Sequence, residues 1–178
     1  MTQLRHAPKQ TKVKPLEKLS LNLTSHTVVL TCGPSGVGKS HLINLISQRL
    51  EEFNALEENA LKLQYSILSS DQLRYSLLQE TSETLDKFDV KMQQVSKQAF
   101  SLLETQLANL ISYPINRHLI FVDTTGLTKT WREKIISMCK ANNYNVDLLL
   151  FNYDDRKDFH TFSKDKFITE KGIKRLYE

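Results

Sequence analysis

"GPSGVGKS", Gly33 to Ser40, limits what this chain can fold into more than any other stretch. It matches G-x-x-x-x-G-K-[ST] and stands between two patterned segments. Before it lies a short β-branched run, Thr27 to Thr31; after it, Leu42, Ile43, Leu45, Ile46 and Leu50 mark the apolar face of a helix. A glycine-rich turn from strand to helix aims backbone N–H groups inward, where they cradle phosphate oxygens, and the helix N-terminus adds a favourable dipole. In such a loop the lysine, here Lys39, reaches the β- and γ-phosphates, and the following hydroxyl, here Ser40, binds Mg²⁺. The expected nucleotide site is therefore Gly33, Pro34, Ser35, Gly36, Val37, Gly38, Lys39 and Ser40, with His41 facing the surroundings of the nucleotide. ATP and Mg²⁺ are the expected cofactors.

Downstream the chain keeps alternating strand-like and helix-like segments, the pattern of an α/β domain around a parallel sheet. Strands are expected at Thr27–Thr31, Tyr65–Leu68, His118–Asp123 and Val146–Phe151. Helices are expected from Lys39 to about Phe53, from Asp71 for a short distance, and from about Lys129 to Ala141, where Trp131, Ile135 and Cys139 share one face. Met92, Val95, Ala99, Leu102, Leu103, Leu107, Leu110 and Ile111 predict one long amphipathic helix that Pro114 ends. Residues 81–90 read as a surface connection.

A chain of 178 residues is one domain by size. Its net charge of +4 is concentrated at the start, where residues 1–20 hold five basic residues against Glu17 alone. The remaining chain is neutral, so overall charge does not argue for a nucleic-acid partner. Residues 1–24, polar and broken by Pro8 and Pro15, read as a basic, poorly ordered tail or connector ahead of a domain over 25–178. Cys32 and Cys139 have neither zinc nor redox-motif spacing and suit a reducing compartment. With no apolar run long enough to span a bilayer and no secretory h-region, a cytoplasmic protein without a membrane partner is expected.

A phosphate-binding loop does not by itself separate GTPases, ATPases and kinases. "VDTTG", Val122 to Gly126, offers a D-x-x-G element, but no N-K-x-D follows to specify guanine; the fourth strand ends in "FNYDD". A kinase needs a base for its acceptor hydroxyl. "SSDQLR" supplies a candidate, because residues just beyond the C-terminal ends of parallel strands face the ligand crevice. Asp71 stands there, and Arg74 follows one helical turn later on the same face. The plainer alternative is that Ser69, Ser70 or Asp71 caps a helix and Arg74 is exposed.

The ordered set "GPSGVGKS", "SSDQLR", "FVDTTGLTKTWRE" and "LLLFN" resembles the phage and bacterial 5′-polynucleotide kinases, P-loop enzymes that move the ATP γ-phosphate to a 5′-OH end of RNA or DNA. The similarity runs from about Thr27 to Asn152. It implies a three-layer P-loop NTPase fold of the nucleoside/nucleotide-kinase-like type, with a central parallel sheet and a C-terminal helical lid over about 153–178. It also implies that Asp71 accepts the 5′-OH proton, that Arg74 holds the phosphate next to the acceptor nucleotide, and that Asp123 serves the acceptor site or the water around the metal. A turn cap is the alternative for Asp123. Arg132 matches an arginine for which a structural role is expected. The family's pair of lid arginines has no clean counterpart, and Arg156 is the best candidate for stabilising transition-state charge, with Lys164 and Lys166 behind it. Kinases of this kind are often fused to a phosphatase or ligase, so a longer end-healing parent protein in RNA or DNA repair is also implied.

Two rivals stay open at this point. A kinase of a small acceptor, such as a nucleoside, sugar or antibiotic, would use the same loop and aspartate. An ATP-binding switch would want a Glu or Gln near the third strand to orient water, and Asp123-Thr124-Thr125 offers none.

Overall fold

Thr27–Cys32 forms strand β1, buried along its whole length, and its successive side chains go to opposite faces of the sheet. The computed structural model of the protein describes residues 26–33, 37–56, 63–87, 89–114, 118–126 and 128–151. The expected connector over 1–24 and the expected lid over 153–178 lie outside the described residues. After β1 come helix α1 (Lys39–Leu56), β2 (Gln64–Ser69), α2 (Ser70–Leu78), α3 (Val90–Gln94), α4 (Ser96–Ser112), β3 (His118–Asp123), α5 (Lys129–Ala141) and β4 (Asn145–Leu150).

The four strands form one sheet in the order β2-β3-β1-β4, and every pairing is parallel. Alternation along β1 and β3 divides the interior in two. Val29, Leu119 and Phe121 pack with Ile43 and Leu50 of α1 on one face. Val28, Leu30, Ile120 and Val122 pack on the other with Leu73 of α2, Ala99, Leu103, Leu107 and Ile111 of α4, and Ile135 and Cys139 of α5. Helix, sheet and helices make the three-layer α/β fold expected of a P-loop NTPase. β1 and β3 are buried on both faces and read as continuous apolar runs, whereas the edge strands β2 and β4 are partly exposed.

The stripe over residues 92–111, expected to be one helix, is two. α3 ends at Gln94, Val95 sits at φ −89° and ψ 1°, and α4 starts at Ser96. Met92 is buried in a small cluster with Tyr75 and Leu85, while Ala99 and Leu103 belong to the main core beneath the sheet. The helix is interrupted between them at Val95. Ser96 Oγ donates to the carbonyl of Met92 at 3.0 Å, which occupies that acceptor at the break. The connection over 81–90 is correspondingly shorter than expected, because α3 begins at Val90.

Parallel pairing aligns the C-terminal ends of the strands. Leu30 is level with Val122, and Ser69 with Asp123, so the end of β1, the end of β3 and the start of α2 meet along one rim. α1 leaves β1 there and its chain returns as β2 on the far side of β3, which opens a crevice at that point.

Candidate active site

Gly33 leaves β1 at this rim, its N–H donating to the carbonyl of Thr125 at 3.1 Å. Of the expected loop, Pro34, Ser35 and Gly36 lie outside the described residues, as does Arg156. Val37 and Gly38 are half-buried, Lys39 and Ser40 open α1, and His41 is exposed one position later. Lys39 is buried, and its Nζ donates to the Gly33 carbonyl at 3.1 Å, back toward the end of β1. Burial pushes its pKa down, opposed by the carboxylates of Asp123 and Asp71.

Asp123 is buried at the end of β3, and its Oδ2 accepts a hydrogen bond of 2.6 Å from Ser40 Oγ. Burial raises its pKa, against the Ser40 hydrogen bond and the nearby Lys39 charge. A hydroxyl and a carboxylate in contact beside a buried ammonium form a hard-oxygen donor set of the kind Mg²⁺ takes when phosphates supply further ligands. Among the described residues there is no cluster of three or more His, Cys, Asp or Glu suited to a metal. The contact between Ser40 and Asp123 is a hard-oxygen pair that would hold such an ion.

Thr31 ties the two central strands together above the core. Its Oγ1 donates to the carbonyls of Val122, at 3.1 Å, and Thr124, at 3.2 Å, and the Thr124 N–H is 3.3 Å from the same oxygen. Arg132 Nη1 donates to the Gly126 carbonyl at 2.6 Å, so this arginine holds the turn after β3.

Ser69 is the N-cap of α2: its side chain accepts from the N–H of Gln72 at 3.4 Å. Asp71 sits in the first turn without capping it, and its Oδ1 is ion-paired with Arg74 Nη1. Asp71 is partly open, at 41% side-chain exposure, while Arg74 is mostly enclosed, at 17%. Ser69 is level with Asp123 across β2 and β3, so the start of α2 carries Asp71 to the rim that holds Asp123 and Lys39, and its charge raises the pKa of each.

Lys87 has no counterpart in the sequence reading. It stands in the polar connection after α2, yet its charge acts on Lys39 and Asp123, lowering both pKa values. Leu85, buried against Tyr75, Leu78 and Met92, pins that connection to α2. A single lysine in a stretch without helical or strand periodicity carries no signal of this placement.

A family model described as an AAA domain (AAA_33) matches residues 28–159. No curated protein matches the chain. Solved structures share the fold at low identity. A protein of the PezAT toxin–antitoxin system of Streptococcus pneumoniae has a TM-score of 0.53 at 16% identity, over 84% of this chain and 57% of that one. The Pnkp1/Rnl/Hen1 complex contains a chain with a TM-score of 0.52 at 13% identity, over 86% of this chain and 43% of that one. Kti12 of Chaetomium thermophilum, solved with ADP-AlF3, has a TM-score of 0.51 at 13% identity, over 84% of this chain and 78% of its own. The chain spans about half the length of the first two. The architecture is that of the α/β P-loop fold, and the chain belongs to the AAA domain family whose model it matches.

Proposed function

We propose that this protein is an ATP- and Mg²⁺-dependent kinase of polynucleotide 5′-OH ends, RNA or DNA. The observation that carries the reading is Asp71: with Ser69 capping α2, its carboxylate is left part-exposed at the crevice that holds Lys39 and Asp123. A carboxylate there is placed to take the proton of an attacking hydroxyl. The likeness to a chain of the Pnkp1/Rnl/Hen1 complex and the ordered resemblance in sequence support a polynucleotide as the acceptor.

In this reading Lys39 and the loop amides hold the transferred phosphate and offset its charge. Ser40 and Asp123 would hold Mg²⁺, which when bound supplies Lewis-acid stabilisation of phosphate oxygens. Arg74 steadies the acceptor phosphate beside the reacting hydroxyl, and Asp71 receives the hydroxyl proton. Arg156 is assigned to charge stabilisation from the lid side. The ion pair between Asp71 and Arg74 keeps both side chains oriented before the acceptor arrives. A small hydroxyl acceptor is the second reading, favoured by the charge balance beyond residue 20.

The test is transfer of labelled γ-phosphate from ATP to a 5′-OH oligonucleotide by the native chain and by Asp71→Asn. Native transfer is expected, with Asp71→Asn slower by about a hundredfold or more and ATP binding retained. An Asp71→Asn enzyme as fast as the native one would remove Asp71 as the base. Transfer to nucleosides or sugars, with none to oligonucleotides, would establish the second reading instead.

A further inference from the structure

Arg74 is held from behind by groups that belong to neither the phosphate loop nor α2. Its guanidinium lies over the ring of Phe100 on α4, 5.8 Å from the centroid. Phe100 in turn meets Trp131 of α5 edge-on, with centroids 5.4 Å apart and planes at 89°. Trp131 Nε1 donates to Glu104 at 2.8 Å, and Lys134 Nζ donates to the other oxygen of the same carboxylate at 2.6 Å. Arg74 Nε is buried with no hydrogen bond among the described residues. The guanidinium is therefore fixed by Asp71 on one side and by an aromatic face on the other, with its buried Nε–H uncommitted among the described residues.

We propose that Phe100, locked by Trp131 and Glu104, is the positioning platform for Arg74 and so sets how tightly the acceptor is engaged. The proposal rests on the acceptor role given to Arg74 above. Three observations argue that this is more than core filling. Phe100 is only half-buried and lies outside the main core cluster, so the sheet does not require an aromatic ring there. Its ring offers the arginine an electrostatically attractive face, which a leucine of similar bulk would not. Trp131 is itself oriented by a hydrogen bond, which fixes its edge against Phe100 and hence the plane that Arg74 meets. A guanidinium with fewer accessible rotamers loses less freedom when it captures a phosphate. Arg74 is here the group that would touch the acceptor; Phe100 and Trp131 act through it.

The experiment compares native protein with Phe100→Leu, Phe100→Tyr and Trp131→Phe, each labelled with ¹⁵N-arginine. It reads the Arg74 Nε–H resonance, the affinity for ATP, and KM and kcat for a 5′-OH oligonucleotide. Loss of the ring in Phe100→Leu is expected to move the Arg74 resonance and to raise acceptor KM by about tenfold, with ATP affinity unchanged. Phe100→Tyr restores both. Trp131→Phe, which loses the bond to Glu104, shifts the same resonance in the same direction by a smaller amount and stands in if Phe100→Leu does not fold. An unmoved Arg74 resonance in both Phe100→Leu and Trp131→Phe would overturn the proposal. So would ATP affinity falling in step with acceptor KM, or a Phe100→Tyr variant no better than leucine. Should the native protein phosphorylate no oligonucleotide, the acceptor assignment fails, and the resonance alone decides whether Phe100 positions Arg74.

Discussion

Gly33 and Gly38 are required by the phosphate loop for different physical reasons. A Cβ on Gly33 would stand 2.8 Å from the Cβ of Phe151 and 3.0 Å from its carbonyl oxygen, at φ +152°. Phe151 follows β4, and its N–H donates to the Cys32 carbonyl at 2.8 Å, so it cannot retreat without breaking that bond. Gly38 has open space around it and is needed instead for φ +98°, which side chains rarely adopt. Gly33→Ala is therefore expected to cost about 1–3 kcal/mol of stability, as overpacking of a fixed site does. It should also weaken ATP binding, because Gly33 supplies the carbonyl that holds Lys39. Urea denaturation and nucleotide titration of the variant check this; a native midpoint would show that the Phe151 strand end yields easily. The close contacts at Gly33 are invisible in the sequence, since Phe151 lies more than a hundred residues away and only the sheet order brings it there.

The start of α2 shows how far local pattern reaches at the level of elements. The serine-rich lead into "DQLR" announces a helix start, and the helix begins one residue earlier than expected, at Ser70. What the pattern left open is which residue caps, and that choice decides whether Asp71 is free for other work. Ser69 takes the position with a long hydrogen bond of 3.4 Å, so Ser69→Ala is expected to cost about 0.5–1 kcal/mol, the lower part of the range for cap removal. Thermal or urea unfolding measures it, and a loss above about 2 kcal/mol would mean that Ser69 does more than cap. The strands, α1 and α5 were legible because motif, β-branched runs and apolar spacing agreed; β3 and α5 have the expected limits. The split at Val95 was not legible, because Met92 and Ala99 keep helical spacing while entering separate clusters. Asp123 was legible as a strand-end carboxylate, but not its bond to Ser40, which depends on β1 and β3 lying side by side. Trp131 read as a member of a helix face with Ile135 and Cys139, Phe100 stood out in no pattern, and no local signal tied either to Arg74.

Across the whole molecule the sheet has two unlike ends. The C-terminal rim carries the charged residues of the crevice, and the N-terminal rim carries His118, 2% exposed at the first position of β3. His118 Nε2 is 2.9 Å from Ser66 Oγ, and its Nδ1 has no hydrogen bond among the described residues. Burial lowers its pKa below 6.5, with a smaller push from His26. The folded protein thus holds a neutral imidazole under conditions in which the unfolded chain binds a proton. Stability is then present in full above pH 6.5 and falls as pH drops below it, by at most about 1.4 kcal/mol per pH unit from this one group. Asp123 acts with the opposite sign: its raised pKa makes the folded state the better proton binder above 3.8, so acid favours folding through that group. The two are separated by substitution. Between pH 7.5 and 5.5, His118→Gln should lose measurably less stability than the native protein by urea denaturation, because glutamine does not titrate. Equal losses in the two proteins would mean that the folded state accommodates a charged His118, for example through water at Nδ1. The expected difference ties acid sensitivity to the rim opposite the chemistry, so nucleotide binding measured on folded protein should not track it.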